Sequence, residues 1–335
     1  MAQRPTRDRF LALLGECPDK QPSLDIEVIS ESEHESHTLK LVEYATVPGE
    51  RVQAYLLLPH GSAGPKPGVL AIHQDGADRP YQFGGSEPAG VAGDPDLPYG
   101  LELCRRGYVV ICPDRFPFGS RSLARSTHRE TFAQFPVFGR YQDQELDLTE
   151  DLYKGCIANR LLFEGWTLLG KSLFELQRAL DVLCTLPEVD GDRLGAIGHS
   201  AGGFMTALLM YVDPRIGAGC ASSGTFLIKN IYGQTRLRPI NGFGSMLAVP
   251  GLKKWGDIDD VLAGLAPRPY LETHGDFTQD MVDEKSAKAR ARYKALGVEE
   301  RYQSMIYDAQ AHVFRADMRE KSYAWFDRWL KRMGG

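Results

Sequence analysis

The amino-acid sequence predicts an α/β fold in which a mostly parallel central sheet carries helices on both faces and is entered through an antiparallel hairpin. Three observations lead there. Strand-length apolar runs alternate with helix-period segments from about residue 68 to the end of the 335-residue chain. Those runs lack period-two alternation, which is the mark of strands buried on both faces. Only the stretch before residue 68 alternates cleanly, so it reads as a half-exposed hairpin. A single domain over 1–335 accommodates all of it, with 1–36 as an N-terminal extension and 76–99 and 115–168 as lid-like insertions.

In chain order, segments 38–47 and 51–58 form the hairpin, with Leu39, Leu41, Ala45 and Val47 on one face of the first and Val52, Ala54, Leu56 and Leu58 on one face of the second. Pro48-Gly49 supplies the turn. Segments 68–73, 107–112, 193–198, 216–222 and 268–273 are the expected buried strands, and 302–308 is one more. A helix over 98–106 precedes the second of these. Segment 172–186 places Leu173, Leu176, Leu180 and Leu183 on one stripe, and Ser172 with Glu175 three residues on predicts a capping box. The helix over 285–296 stops at Gly297, and Met318, Trp325 and Trp329 recur along a terminal helix. An antiparallel entrance followed by βα units folds as one mixed sheet.

Two stretches break that rhythm. Segment 76–99 is rich in Gly, Pro and Asp, and 115–168 holds Phe116, Phe118, Phe132, Phe135, Phe138, Tyr141, Phe163 and Trp166. Connections this long inside a domain serve as lids or binding loops. The same aromatics also need burial if they only pack the excursion onto the body.

A net charge of -5 with no basic stripe argues against nucleic acid as a partner. No stretch approaches the roughly 20 apolar residues that span a bilayer, and the short apolar run 10–14 does not read as a secretory signal. Cys17, Cys104, Cys112, Cys156, Cys184 and Cys220 are scattered singly. That spacing fits buried thiols in a reducing, cytoplasmic compartment better than a disulfide framework. His34 and His37 make an H-x-x-H without a third ligand, so no metal site is expected there.

The chemistry concentrates at Gly198-His199-Ser200-Ala201-Gly202. This G-x-S-x-G follows a predicted strand and opens a helix-like run, 201–211, the setting in which a serine sits on a strained elbow above the sheet. The glycines at 198 and 202 approach too closely for side chains, and Gly203 lets the helix pack. A serine hydroxyl needs a base, and in this architecture the order is serine, acid, histidine. His312 lies in the loop before the last helix. His274 directly follows a buried strand, and His199 sits within the elbow. The acid belongs to the loop after 268–273, where Asp276 and Asp280 both lie, with Asp276 preferred. The oxyanion donors would be the backbone N–H of Ala201 and that of Asp75, with Gln74 the alternative.

These residues resemble the α/β-hydrolase superfamily, in its dienelactone-hydrolase-like and acetyl-xylan-esterase-like branch. The matching stretches include Pro67-Gly68-Val69-Leu70-Ala71-Ile72-His73-Gln74, Gly107-Tyr108-Val109-Val110-Ile111-Cys112-Pro113-Asp114, Glu164-Gly165-Trp166, Asp192-Arg193-Leu194-Gly195-Ala196-Ile197-Gly198-His199-Ser200, Asp213-Pro214-Arg215-Ile216 and Ala266-Pro267-Arg268-Pro269. The resemblance implies an α/β-hydrolase fold and a Ser–Asp–His triad. It also implies cleavage of carboxylic esters or lactones of small to medium size, with no metal or organic cofactor. Relatives place the acid where this chain has Thr278, so the acid loop reads as shortened and Asp276 stands nearest. Serine rather than cysteine at 200 favours esters over dienelactone chemistry. The same triad would serve a peptidase or a thioesterase, although a peptidase of the prolyl-oligopeptidase kind carries a large extra domain for which the segment before residue 68 is too short. A ligand receptor on a hydrolase fold tends to lose a triad member, and none is missing. The expected partner is a small-molecule ester, without nucleic acid or membrane; a homo-oligomer is left open.

Overall fold

The computed structural model describes residues 5–16, 21–61, 64–75, 81–126, 129–134, 148–230, 243–308 and 310–331. Within them lie β1 (Glu27–Glu33), β2 (His37–Ala45), β3 (Arg51–Pro59), β4 (Lys66–Ile72), β5 (Val109–Pro113), β6 (Val189–His199), β7 (Ile216–Ser222), β8 (Tyr270–His274) and β9 (Tyr302–Ile306). They form one sheet in the order β1-β2-β3-β5-β4-β6-β7-β8-β9. The first four neighbours pair antiparallel, and from β5 onward every pair is parallel.

The central strands are buried on both sides, which is why their sequences do not alternate. Leu70, Ile72, Val109, Ile111 and Ala196 pack into one apolar cluster with the helices Leu168–Thr185 and Ala201–Val212. Val69, Ala71, Val110, Cys112 and Ile197 pack into a second with Tyr99–Arg105 and Ala316–Leu330. Among the described residues no helix is long and apolar enough to cross a membrane. Cys104, Cys112, Cys156, Cys184 and Cys220 are free thiols, and Cys17 lies outside the described residues.

Three expectations need correction. The buried face of β2 carries Val42 and Tyr44, not the Leu39–Leu41 face. The predicted capping box at Ser172 does not form. The helix starts earlier, with Thr167 capping the Gly170 N–H, because Leu168 and Leu169 form a buried first turn. Glu175 instead pairs with Arg121 and Lys171 in the interior. The helix expected over 285–296 begins at Gln279, where Thr278 accepts from the Met281 N–H. The N-terminal extension 1–36 carries regular structure. Its helix Arg7–Leu14 buries Phe10 and Leu14, and β1 forms the sheet edge.

Segment 115–168 ends in a helix, Leu148–Phe163, and Phe116, Phe118 and Trp166 are buried while Phe163 is exposed. Phe135, Phe138 and Tyr141 lie outside the described residues, as does Gly76.

Candidate active site

β6 ends at His199 and the helix Ala201–Val212 starts two residues on, so Ser200 alone makes the turn, at φ 54° and ψ −124°. A side chain in that left-handed region is strained, and the surrounding backbone must hold it there. A Cβ on Gly198 would lie 2.3 Å from the Gly202 carbonyl carbon, and one on Gly202 would lie 2.0 Å from the Ile72 carbonyl oxygen. The glycines at 198 and 202 therefore allow the strand, the helix and β4 to converge behind the serine. The Ser200 N–H donates to the Ser222 carbonyl at 2.8 Å, tying the turn to β7.

His312 lies between β9 and the helix Ala316–Leu330. Its Nε2 is 2.7 Å from Ser200 Oγ, and its Nδ1 is 2.7 Å from Asp276 Oδ2. A carboxylate can only accept, so Nδ1 carries the ring proton and Nε2 accepts from the Ser200 hydroxyl. Burial alone would raise the Asp276 carboxyl. Hydrogen bonds from His312 and Ser223, with the charge of His312, outweigh burial and hold it below its ordinary value. Asp280 sits in the exposed first turn of the helix Gln279–Ala295, and the His312 bond goes to Asp276.

The other histidines nearby are packing groups. The ring of His199 lies 4.8 Å from that of His312 and stacks on Phe314, and burial lowers its pKa to about 3. His274 is buried at the end of β8 with Nε2 3.1 Å from Ser304 Oγ, and burial likewise lowers it to about 3. His34 and His37 stack on each other, and among the described residues no three His, Cys, Asp or Glu side chains group as a metal site.

The Ala201 N–H opens a helix, where the first amides have no intrahelical acceptor. The loop after β4 is clasped from β5. His73 Nδ1 donates to the Gln74 carbonyl at 2.6 Å, and Nε2 accepts the Arg115 N–H at 3.0 Å. The Arg115 guanidinium donates to the His73 carbonyl and to Asp75 Oδ1, at 3.0 and 2.7 Å. In a trans peptide the Asp75 N–H lies opposite the Gln74 carbonyl, so it points away from the His73 ring.

Two groups here carry no sequence signal. Ser223, at φ 48°, accepts the Gly275 N–H at 3.3 Å while hydrogen-bonding Asp276. Arg115 holds the β4 loop. Each acts through a fold contact between distant strands. A cavity of about 490 Å³ lies elsewhere, lined by Glu50, Arg121, Tyr153, Trp166 and Lys171, with no triad residue in its wall.

This sheet order and the Ser–His–Asp constellation on a strand–turn–helix elbow define an α/β-hydrolase. Residues 162–334 match the prolyl oligopeptidase family, and the chain belongs to that family. It is 26% identical over 329 residues to a Bacillus subtilis protein, YtaP, provisionally named a hydrolase, covering 97% of this chain and 98% of the relative. Among solved structures, it resembles a Bacteroides fragilis protein provisionally named an acetyl xylan esterase, with TM-score 0.68, 19% identity and coverage of 92% and 74%. It also resembles a glucuronoyl esterase from Solibacter usitatus, with TM-score 0.63, 16% identity and coverage of 96% and 91%.

Proposed function

We propose that the protein is a serine hydrolase that cleaves carboxylic esters through Ser200, His312 and Asp276. The observation that carries this reading is the continuous relay from Ser200 Oγ through His312 to Asp276, each step 2.7 Å, behind a serine at positive φ. The names of the similar solved structures favour an ester over a peptide as substrate, although the family takes its name from a peptidase.

In this reading His312 Nε2 takes the Ser200 proton as Oγ attacks the ester carbonyl carbon. The amides of Ala201 and Asp75 receive the oxyanion. The tetrahedral adduct collapses, and the alcohol leaves with the proton from His312. Water then attacks the acyl-enzyme, giving one proton to His312, and the acid departs as Ser200 is reprotonated. Asp276 keeps the imidazole in the tautomer that faces serine and stabilises the imidazolium. The lid-like role of 76–99 and 115–168 belongs to the same proposal.

Ser200→Ala tests it. Hydrolysis of a short-chain 4-nitrophenyl ester should fall to background while the melting temperature hardly moves, since one hydroxyl and no core volume is lost. Retained turnover would assign the nucleophile elsewhere, and retained labelling of the variant by a fluorophosphonate would say the same.

A further inference from the structure

We propose that Tyr44 and Ser172 are positioning residues for the loop after β4, and that they act on Arg115 through one buried water molecule. The inference rests on the ester-hydrolase reading and deepens it, since that loop carries the Asp75 amide assigned there to the oxyanion.

A cavity of about 10 Å³ lies between β2, the residues that follow β5 and the helix Leu168–Thr185, with Tyr44, Arg115 and Ser172 in its wall. Each of the three is at most 4% exposed. Each also has a buried side-chain polar atom without a partner among the described residues: the Tyr44 hydroxyl, Arg115 Nε and the Ser172 hydroxyl. Buried polar groups are almost always hydrogen-bonded, so three unpaired ones around one cavity point to a shared partner inside it.

The size and chemistry of the cavity select that partner. Its volume is about what one water needs, and no organic ligand fits. The Asp114 and Glu175 carboxylates also line it. Chloride would suit the three donors but would sit against both carboxylates, and a cation would sit against Arg115. Water suits the whole wall. It accepts from the Arg115 Nε–H, which can only donate, and exchanges hydrogen bonds with two hydroxyls that can do either.

The path from this cavity to the reaction is short. Arg115 Nη2 donates to the His73 carbonyl and to Asp75 Oδ1, and the Arg115 backbone N–H donates to the His73 ring. Both of those side-chain bonds come from one terminal nitrogen, so a further bond at Nε fixes the plane of the guanidinium. Tyr44 belongs to β2 and Ser172 to a helix packed on the sheet, so the water anchors that plane to the body of the fold. The Ser172 hydroxyl, which caps no helix, gains its purpose here.

A high-resolution crystal structure of the wild-type protein tests the water. One peak should lie within hydrogen-bond distance of Arg115 Nε, Tyr44 Oη and Ser172 Oγ. An empty cavity, or a peak with the anomalous signal of chloride, overturns the proposal. Turnover tests the positioning role. Tyr44→Phe and Ser172→Ala should each lower kcat for a short-chain 4-nitrophenyl ester by about three- to tenfold, a fraction of the loss on removing an oxyanion donor outright. KM should hardly move. Because both hydroxyls act through one water, the double variant should lose little more than either single variant. Losses that multiply overturn the shared water, and a lower melting temperature with kcat unchanged overturns the positioning role. Should Ser172→Ala fail to fold, Ser172→Cys, with its weak donor, replaces it. The crystal structure reads the water whether or not Ser200 is the nucleophile. A failure of the hydrolase reading, seen as turnover that survives Ser200→Ala, is therefore distinct from a failure of this one.

Discussion

Two ionic clusters flank the triad, and they differ in how far they are withdrawn from solvent. Below the acid loop, Lys285 Nζ lies 2.7 Å from Glu272 Oε2 and 3.0 Å from Thr225 Oγ1. Glu272 also accepts from the hydroxyls of Thr225 and Tyr302. Glu272 and Lys285 are each at most 1% exposed, and Lys285 and the hydroxyls of Thr225 and Tyr302 all donate to the Glu272 carboxylate. Across the elbow, Arg115 pairs with Asp75, whose side chain is 30% exposed, and among the described residues the buried Arg115 Nε–H has no acceptor. The closed cluster fixes β8 against the helix Gln279–Ala295, and so fixes where Asp276 leaves the sheet. The second pair ties the loop after β4 to the residues that follow β5. Burial of charge thus serves two strand ends here, closed off beneath the acid loop and partly open to solvent beside the loop after β4.

The largest effect should come from cutting the arm that the closed cluster supports. Asp276→Asn leaves the geometry but favours the wrong imidazole tautomer, and turnover should drop on the order of 10⁴-fold, checked with the ester used for Ser200→Ala. Asp280→Asn is the control; a large loss there, with Asp276→Asn mild, would move the acid along the loop.

Next in size is the closed cluster itself. Lys285→Met strands the Glu272 carboxylate in the interior and should cost about 3–5 kcal/mol in urea unfolding. A loss no larger than that of an ordinary surface substitution would show that this pair does not hold β8 in place.

A smaller effect follows pH. Burial alone would raise the Glu272 carboxyl, but Lys285, His274 and the hydrogen bonds from Lys285 and Thr225 hold it below its ordinary value. A depressed carboxyl contributes stability in full above its unfolded pKa of about 4.3, and loses it as pH falls through the lower folded value. Urea midpoints should therefore decline in acid below about pH 4, and Glu272→Gln should flatten that decline. A profile identical to wild type would remove Glu272 from the account.

What could be read from the sequence follows from what burial does to composition. β4 and β6 are legible as apolar runs because both faces are covered, and the elbow is legible because steric crowding allows only glycine at 198 and 202. β1 escapes because every residue of Glu27–Glu33 is exposed, leaving no alternation to see. The start of the helix Leu168–Thr185 was obscured by a stronger-looking motif at Ser172 and Glu175, whose carboxylate serves Arg121 and Lys171 from another part of the chain. Ser200 and His312 could be proposed from order alone, while order left Asp276 and Asp280 both open and the family resemblance favoured Asp276. Ser223 and Arg115 could not, since each matters through a partner brought close only by folding.

The helix Arg7–Leu14 has one more consequence. The Thr6 carbonyl accepts from Trp255 Nε1, a contact across 249 residues, and Phe10 packs on Tyr211 and Trp255. The Leu14 carbonyl takes the N–H and hydroxyl of Thr167. Contacts so distant along the chain form only after the loops between them have closed, at an entropic cost. On a ribosome this helix emerges long before Trp255 exists, so its apolar side must wait in solution or in the care of a chaperone. Its docking on Trp255 therefore cannot come before that distant residue is made.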